Sequence, residues 1–422
     1  MQETLSHYFG YKSFRPGQEE IITKILNHQH TLGVLPTGGG KSICYQVPGL
    51  MQGGTTIVIS PLISLMKDQV DQLQAMGIQA AYLNSSLTHK QQKEIEEQIK
   101  RGAIQFLYVA PERFENTFFL NLLRKIEIPL IAFDEAHCIS KWGHDFRPSY
   151  QSVIQKVFTL PQNFTIVALT ATATAEVQQD IMSKLSIGQN DVVKTSTKRR
   201  NLIFKVNPTY QRQKFVVDYV ANHEGQAGII YCSTRKQVEE LHEALNSEKI
   251  KSTIYHAGLT NKERIEAQND FLYDRVEVVI ATNAFGMGID KSNVRYVIHY
   301  NMPGDLESYY QEAGRAGRDG LKSECILLFS ERDKGLHEYF ITVSQADDDY
   351  KDKMGEKLTK MIQYTKTKKC LEATIVHYFE PNENLEECNQ CSNCIQENKT
   401  YDMTREAKMI ISCIARMKQQ EN

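Results

Sequence analysis

The chain has 422 residues, 41% of them hydrophobic and 24% charged, with a formal net charge of −2. That length suggests two or three domains with sizeable cores, and the near balance of charge excludes a global basic field, so any polyanion site must be a local patch. No apolar run approaches the roughly 18 residues of a membrane span, and the opening Met1-Gln2-Glu3-Thr4 lacks the charged and apolar regions of a secretory signal.

Residues 1–27 read as helical, punctuated by Phe14-Arg15-Pro16-Gly17-Gln18, with Pro16 in a first helical turn. Gln18 carries a donor and an acceptor and can pair with an adenine edge, while Tyr11 can stack on that base and Arg15 can support the site. A solvated helix face is the plainer alternative. Residues 30–35 read as a buried strand, followed by Leu35-Pro36-Thr37-Gly38-Gly39-Gly40-Lys41-Ser42 and a helix-compatible run. Three glycines between strand and helix let several N–H groups converge on one anion, and the helix dipole adds to them. Lys41 would reach the β- and γ-phosphates of a nucleotide and Ser42 would help hold Mg²⁺. A strict P-loop has Gly where Leu35 stands, so a purely structural glycine turn stays open on spacing alone.

Short apolar strands then alternate with helices: strands at 56–60, 80–83, 104–109, 130–133 and 165–169, helices at 62–76 and 88–101. This rhythm predicts a parallel sheet covered on both faces, with ligands at the carboxyl ends of its strands. Asp134-Glu135-Ala136-His137 sits at such an end. Asp134 would hold Mg²⁺, Glu135 would orient and deprotonate a water, and His137 would sense the γ-phosphate or relay onward; a solvated strand end is the alternative. Residues 139–150, ISKWGHDFRPSY, are too aromatic and too broken by Gly143 and Pro148 for a strand or helix. Trp142, His144, Phe146 and Arg147 suit stacking on unpaired bases, or else pack two lobes together. Thr170-Ala171-Thr172-Ala173-Thr174 would meet a neighbouring charged site or cap the next helix.

Lys194-Thr195-Ser196-Thr197-Lys198-Arg199-Arg200 reads as a basic interlobe linker, after which the alternation restarts. Strands are expected at 228–232, 252–256, 276–281 and 294–299, helices at 236–246 and 261–270, and a glycine-broken loop at 282–290. Gln311-Glu312-Ala313-Gly314-Arg315-Ala316-Gly317-Arg318 is expected on a helix, which would put Arg315 and Arg318 on one face. Two permanently charged forks match a transferring phosphoryl group; a surface salt-bridge helix is the alternative. Beyond Ser330 the chain is charged and helical, with a local lysine patch over 350–370. Cys370, Cys388, Cys391 and Cys394 are spaced C-x17-C-x2-C-x2-C, which fits a closed tetrahedral Zn²⁺ site that stabilises folding. The other five of the nine cysteines are scattered, as in a reducing cytosol. An amphipathic helix is expected at 403–417.

Taken together these stretches resemble the RecQ family of DNA helicases, in helicase superfamily two. FGYKSFRPGQEEII (9–22) resembles its adenine-recognition motif, LPTGGGKS its Walker A sequence, and DEAH with ISKWGHDFRPSY its aromatic-rich loop. ISPLISLMKDQVDQL and YVAPER resemble its DNA-side motifs, while ALTATA, YHAGL, ATNAFGMGID and SYYQEAGRAGRDG complete the set. The resemblance implies a DNA-side role for Ser60, Pro61 and Thr282, a catalytic role for Gln311, and coupling of single-stranded DNA to ATP hydrolysis through Trp142, His144, Phe146 and Arg147. Glu372 stands in a stretch that is more basic in the family.

The expected architecture is therefore α/β: a RecA-like ATP-binding lobe (1–195), a second RecA-like lobe (196–335), a helical zinc-binding subdomain (336–398) and the start of a winged-helix domain (399–422) that ends within it. The expected activity is ATP-dependent 3′–5′ translocation on single-stranded DNA with duplex unwinding, in repair and recombination. Cofactors would be ATP, Mg²⁺ and Zn²⁺. Partners would be single-stranded and partially duplex DNA and a single-stranded-DNA-binding or other repair protein. A monomer in the cytoplasm, on the nucleoid and away from membranes, is expected. An RNA-dependent ATPase on the same motor core and a non-catalytic zinc-stapled binding module are the competing readings.

Overall fold

The computed structural model describes residues 1–85, 87–282, 285, 291–395 and 408–409. Most of the expected 282–290 loop and nearly all of the expected helix at 403–417 and the winged-helix start lie outside the described residues.

Seven strands form the first sheet: β1 (Thr31–Val34), β2 (Thr56–Ile59), β3 (Ala80–Leu83), β4 (Phe106–Val109), β5 (Leu130–Phe133), β6 (Thr165–Thr170) and β7 (Val192–Lys194). All pair in parallel, in the order β3-β4-β2-β5-β6-β1-β7. Strands β1, β2, β4, β5 and β6 are buried along their whole length, as a sheet with helices on both faces requires. The second sheet has six parallel strands: β8 (Leu202–Pro208), β9 (Ala227–Tyr231), β10 (Ser252–Tyr255), β11 (Val278–Ala281), β12 (Val294–His299) and β13 (Ser323–Phe329), in the order β10-β11-β9-β12-β13-β8.

Three strands go beyond the sequence reading. β7 has three residues and β8 is buried only at Leu202 and Phe204, so neither carries the long buried apolar run that marks a central strand. Both are edge strands, and the basic stretch between them joins the two sheets. β13 is a buried SECILLF run between β12 and β8. The helices Thr117–Leu123, Pro148–Val157 and Arg212–Ala221 are also additional. The first two helices are Gln2–Phe9 and Gln18–Leu26, so Pro16 precedes the helix instead of opening it; Gly17, with φ 80°, takes the cap position.

A correction concerns the arginines. The helix Leu306–Ala313 stops before them, and Arg315 and Arg318 lie in the tight turn that follows. They share that turn, not a helix face. Gly314 and Gly317 favour stopping the helix there, since glycine is a poor helix former.

Helices Glu331–Val343, Asp348–Lys366 and Leu371–Phe379 and the short helix Ser392–Ile395 follow β13. The expected boundary between residues 335 and 336 falls inside the first of these helices. Their apolar side chains, including Leu358, Met361, Tyr364, Leu371 and Phe379, join the same buried cluster as Leu202, Phe204 and Leu327 of the second sheet. Among the described residues the cysteine region therefore shares its core with the second sheet.

Candidate nucleotide and nucleic-acid site

The turn after β1 and the turn after β5 open on one cavity of about 380 Å³. Thr37, Gly38, Gly40, Lys41 and Ser42 line it from one side, Asp134 and Glu135 from another, and Gln311, Arg315 and Arg318 from the second lobe. Tyr11, Arg15 and Gln18 line its rim. Gly38 and Gly40 have φ of 79° and 72°, which lets the loop curl; Gly39 N–H closes it by donating to the Pro36 carbonyl at 2.8 Å. Gln18 is buried and its carboxamide is engaged: Nε2 donates to the Gly39 and Gly40 carbonyls at 3.1 and 2.9 Å, and Oε1 accepts the Arg15 N–H at 2.8 Å. Arg15 itself donates to the Gly38 carbonyl. Gln18 thus grips the phosphate loop, and Tyr11 stands about half exposed beside the cavity.

Asp134 is buried, and burial first, then the neighbouring Glu135 charge, push its carboxyl up to about 7, against the pull of Lys41. Its Oδ1 accepts the Glu135 N–H at 3.0 Å and its carbonyl accepts the Tyr150 hydroxyl at 3.2 Å. Glu135 adopts a left-handed φ of 48°, an uncommon conformation for a residue with a Cβ and one that aims its carboxylate beside His137.

His137 is fully buried, and burial holds its imidazole well below the usual range, so the ring is neutral. Its tautomer follows from its partner. The Thr170 hydroxyl donates to the Thr172 carbonyl at 3.1 Å, so Thr170 Oγ1 accepts from His137 Nδ1–H at 3.0 Å. Glu135 Oε2 lies 3.4 Å from the same nitrogen. β6 runs between β5 and β1, which is why Thr170 at its end can reach both the acidic turn and Leu35, whose N–H donates to its carbonyl at 3.0 Å. The two readings of the threonine stretch both apply, to different residues: Thr170 meets the charged site, while Thr174 caps the helix Ala175–Leu185.

The aromatic stretch is a loop folded against both lobes. A Cβ on Gly143 would stand 2.2 Å from the His137 carbonyl, so only glycine permits this path. His144 stacks on His137 with ring centroids 4.2 Å apart. Its Nε2–H donates to the Gln311 carboxamide oxygen at 2.7 Å, across the lobe boundary. Arg147 forks onto Asp145 at 3.0 Å and donates to the Pro61 carbonyl at 2.9 Å. Trp142 is half-buried, with Lys141 and Lys353 ammonium groups 5.4 and 6.0 Å from its ring. Lys357 donates to the Trp142 carbonyl at 2.7 Å and pairs with Glu307 at 2.9 Å. Ser60 and Pro61 are buried under this loop, Ser60 N–H donating to the Val109 carbonyl at 3.2 Å; Thr282 N–H donates to the Tyr255 carbonyl at 3.1 Å. These groups are thus brought to protein partners, and Phe146 is half-buried among them in the sequence of the loop.

The four cysteines converge: their sulfurs lie within 4.8 Å of one another. Leu371 N–H points at Cys391 Sγ, Ala373 N–H at Cys370 Sγ and Cys391 N–H at Cys388 Sγ, at 3.3–3.4 Å. The Cys370 thiol draws Cys391 down to about 4. A cradle of N–H groups around clustered sulfurs suits thiolates bound to one zinc ion.

Comparison with known proteins agrees with this geometry. Residues 15–181 match the DEAD/DEAH box helicase family, 211–320 the helicase conserved C-terminal domain and 331–395 the RecQ zinc-binding family. The chain is 48% identical over 419 residues to the ATP-dependent DNA helicase RecQ of Bacillus subtilis, covering 99% of this chain and 71% of that one. It belongs to the RecQ family of ATP-dependent DNA helicases. The Haemophilus influenzae RecQ is 42% identical, over 98% of this chain and 67% of its own length. The solved structure of Mycobacterium smegmatis helicase Lhr bound to ssDNA and AMP-PNP superposes with a TM-score of 0.64 at 17% identity, covering 86% of this chain and 57% of that one, a likeness of fold.

As a RecQ-family enzyme the chain carries a residue that sequence reasoning passed over. Arg199, read as linker, donates to Thr37 of the phosphate loop and to three carbonyls around Arg315. Lys357 was read only as part of the lysine patch over 350–370 and Glu307 was not singled out, yet both are buried. None of the three has a local signal, because the partners of Arg199 are more than a hundred residues away in sequence and the two members of the ion pair are about fifty apart.

Proposed function

We propose that this RecQ-family helicase hydrolyses ATP in the interlobe cavity and uses the closing and opening of the lobes to move 3′ to 5′ along single-stranded DNA. The observation that carries this reading is that Lys41, Asp134, Glu135, Arg315 and Arg318 line one cavity although they come from two separate sheets. In this reading Lys41 and the N–H groups of residues 37–42 hold the β- and γ-phosphates. Ser42 and Asp134 are the residues that would hold Mg²⁺, which supplies charge neutralisation between the phosphates. Glu135 accepts the proton of the attacking water, His137 fixes that carboxylate, and Arg315 and Arg318 meet the charge that develops on the γ-phosphoryl group.

The aromatic loop is the proposed DNA sensor. Trp142, His144, Phe146 and Arg147, with Ser60, Pro61 and Thr282, would exchange their protein partners for a bound strand, and the His144–Gln311 contact would report that exchange to the ATP site. Duplex junctions, a single-stranded-DNA-binding protein as partner, action as a monomer and a place on the cytoplasmic nucleoid complete the reading. No described helix is long and apolar enough to cross a membrane. We place the domain limits near residue 195, at the start of the helix Glu331–Val343, and near residue 398.

The test is an ATPase assay with single-stranded DNA, duplex DNA and RNA as cofactors. Stimulation by single-stranded DNA, abolished by Lys41→Ala, is the expected result. Preference for RNA overturns the choice of strand, and unchanged turnover in Lys41→Ala overturns the site.

A further inference from the structure

Arg199 stands between the sheets, five residues after β7 and three before β8. Its guanidinium ends on four main-chain carbonyls. Nη1 donates to Thr37 at 2.9 Å and to Gly314 at 3.3 Å; Nη2 donates to Ala316 at 3.1 Å and to Gly317 at 2.9 Å. Thr37 belongs to the phosphate loop. The other three carbonyls belong to the turn that carries Arg315 and Arg318. A carbonyl sets the peptide plane to the next residue, so the fork orients the planes leading into Arg315 and into Arg318. The two surfaces it joins already touch: a Cβ on Gly314 would lie 3.1 Å from Thr37 Cβ, and one on Gly38 would lie 3.3 Å from Arg318 Cγ.

The base of the fork is fixed as well. Asn201 Oδ1 accepts from Nε at 3.4 Å, Glu380 accepts the Thr197 N–H at 2.7 Å, and the Gln390 carboxamide donates to the Arg200 carbonyl at 3.0 Å. A planar, rigid group with donors in two directions can span two acceptors on each side, whereas a lysine ammonium presents a single point of charge. We infer that Arg199 is a positioning residue for hydrolysis: it sets the separation of the phosphate loop from the arginine turn, and so acts on the chemical step through Arg315 and Arg318, not on nucleotide binding. This rests on the role given above to those two arginines.

The test compares Arg199→Gln, Arg199→Lys, Arg315→Ala and the Arg199→Gln/Arg315→Ala double variant in the full chain, by single-stranded-DNA-stimulated kcat, KM for ATP, affinity for a fluorescent ATP analogue and thermal melting. A misplacement near 1 Å at a reaction centre costs about a hundredfold. Arg199→Gln is therefore expected to lower kcat by about 30-fold or more, with KM and analogue affinity within about twofold, and Arg199→Lys to recover only part of that loss. In the double variant the Arg199 change should add little to the loss from Arg315→Ala, because one acts through the other. Equal kcat in Arg199→Gln and the parent, a loss confined to KM, or full additivity in the double variant overturns the inference. If Arg199→Gln does not fold, Arg199→Lys is held to the same split. If Arg315→Ala keeps full turnover, it is the arginine-turn reading that fails, a result distinct from an inert Arg199.

Discussion

His144 and Gln311 join the two lobes through one hydrogen bond of 2.7 Å, and His144 also lies flat on His137, whose other edge faces Thr170 and Glu135. The proposed base, the aromatic loop and the arginine-bearing segment are thus consecutive members of one contact chain. Removing His144 or Gln311 interrupts that chain without touching the phosphate loop. His144→Ala should lower single-stranded-DNA-stimulated turnover about tenfold or more while basal turnover stays within about twofold, and Gln311→Ala, whose side chain also lines the cavity, should lower the stimulated rate at least as much. The two losses should not add in the double variant. Trp142→Ala should uncouple in the same sense. ATPase rates with and without DNA decide it; a proportional loss of both rates would refute the coupling.

Asp134 gives a pH dependence with a definite sign. Its folded pKa lies at about 7, above the ordinary carboxyl value of about 4. Between those values the folded chain holds a proton that the unfolded chain has lost, so this group makes stability fall as pH rises from about 4 to 7, by on the order of 4 kcal/mol in total. Asp134→Asn should therefore flatten the melting-temperature profile over that window in metal-free buffer. Because only the carboxylate can hold Mg²⁺, the Mg²⁺ concentration for half-maximal ATPase should rise as pH drops below about 7. A pH-independent Mg²⁺ requirement counts against the assignment.

Lys357 and Glu307 form a buried ion pair at 2.9 Å beneath the Trp142 carbonyl. Breaking a buried pair strands the remaining charge. Lys357→Met is expected to cost about 3 kcal/mol in denaturant unfolding, and Lys357→Met/Glu307→Leu to restore most of it. A double variant as unstable as the single one would show that the pair is not the source of the loss.

The cysteine region shares its buried cluster with the second sheet. Cys391→Ser, or chelation of zinc, should therefore lower the melting transition of that lobe and weaken single-stranded DNA binding, while a fluorescent ATP analogue still binds the first lobe. Circular dichroism and analogue titration measure the two separately. An unchanged transition after metal removal would argue against a structural ion.

The sequence by itself determined the α/β rhythm, the phosphate loop, the acidic strand end and the cysteine set. Each of these is written within a few consecutive residues: a buried strand needs an unbroken apolar run, an anion nest needs adjacent glycines, and thiolate spacing is local by nature. The edge strands β7 and β8 escaped because one exposed face dilutes the apolar signal. The helix expected through Arg318 failed because the glycines that let the turn approach Thr37 also end the helix at Ala313. Only the tertiary structure decided that Gln18 grips the phosphate loop, that Trp142 is held between lysines, that Lys357 and Glu307 are buried, and that Arg199 ties Thr37 to the arginine turn. Those are contacts between residues remote along the chain, and a side chain's partner across such a distance is fixed by how two sheets and a helical region pack, which no local pattern encodes.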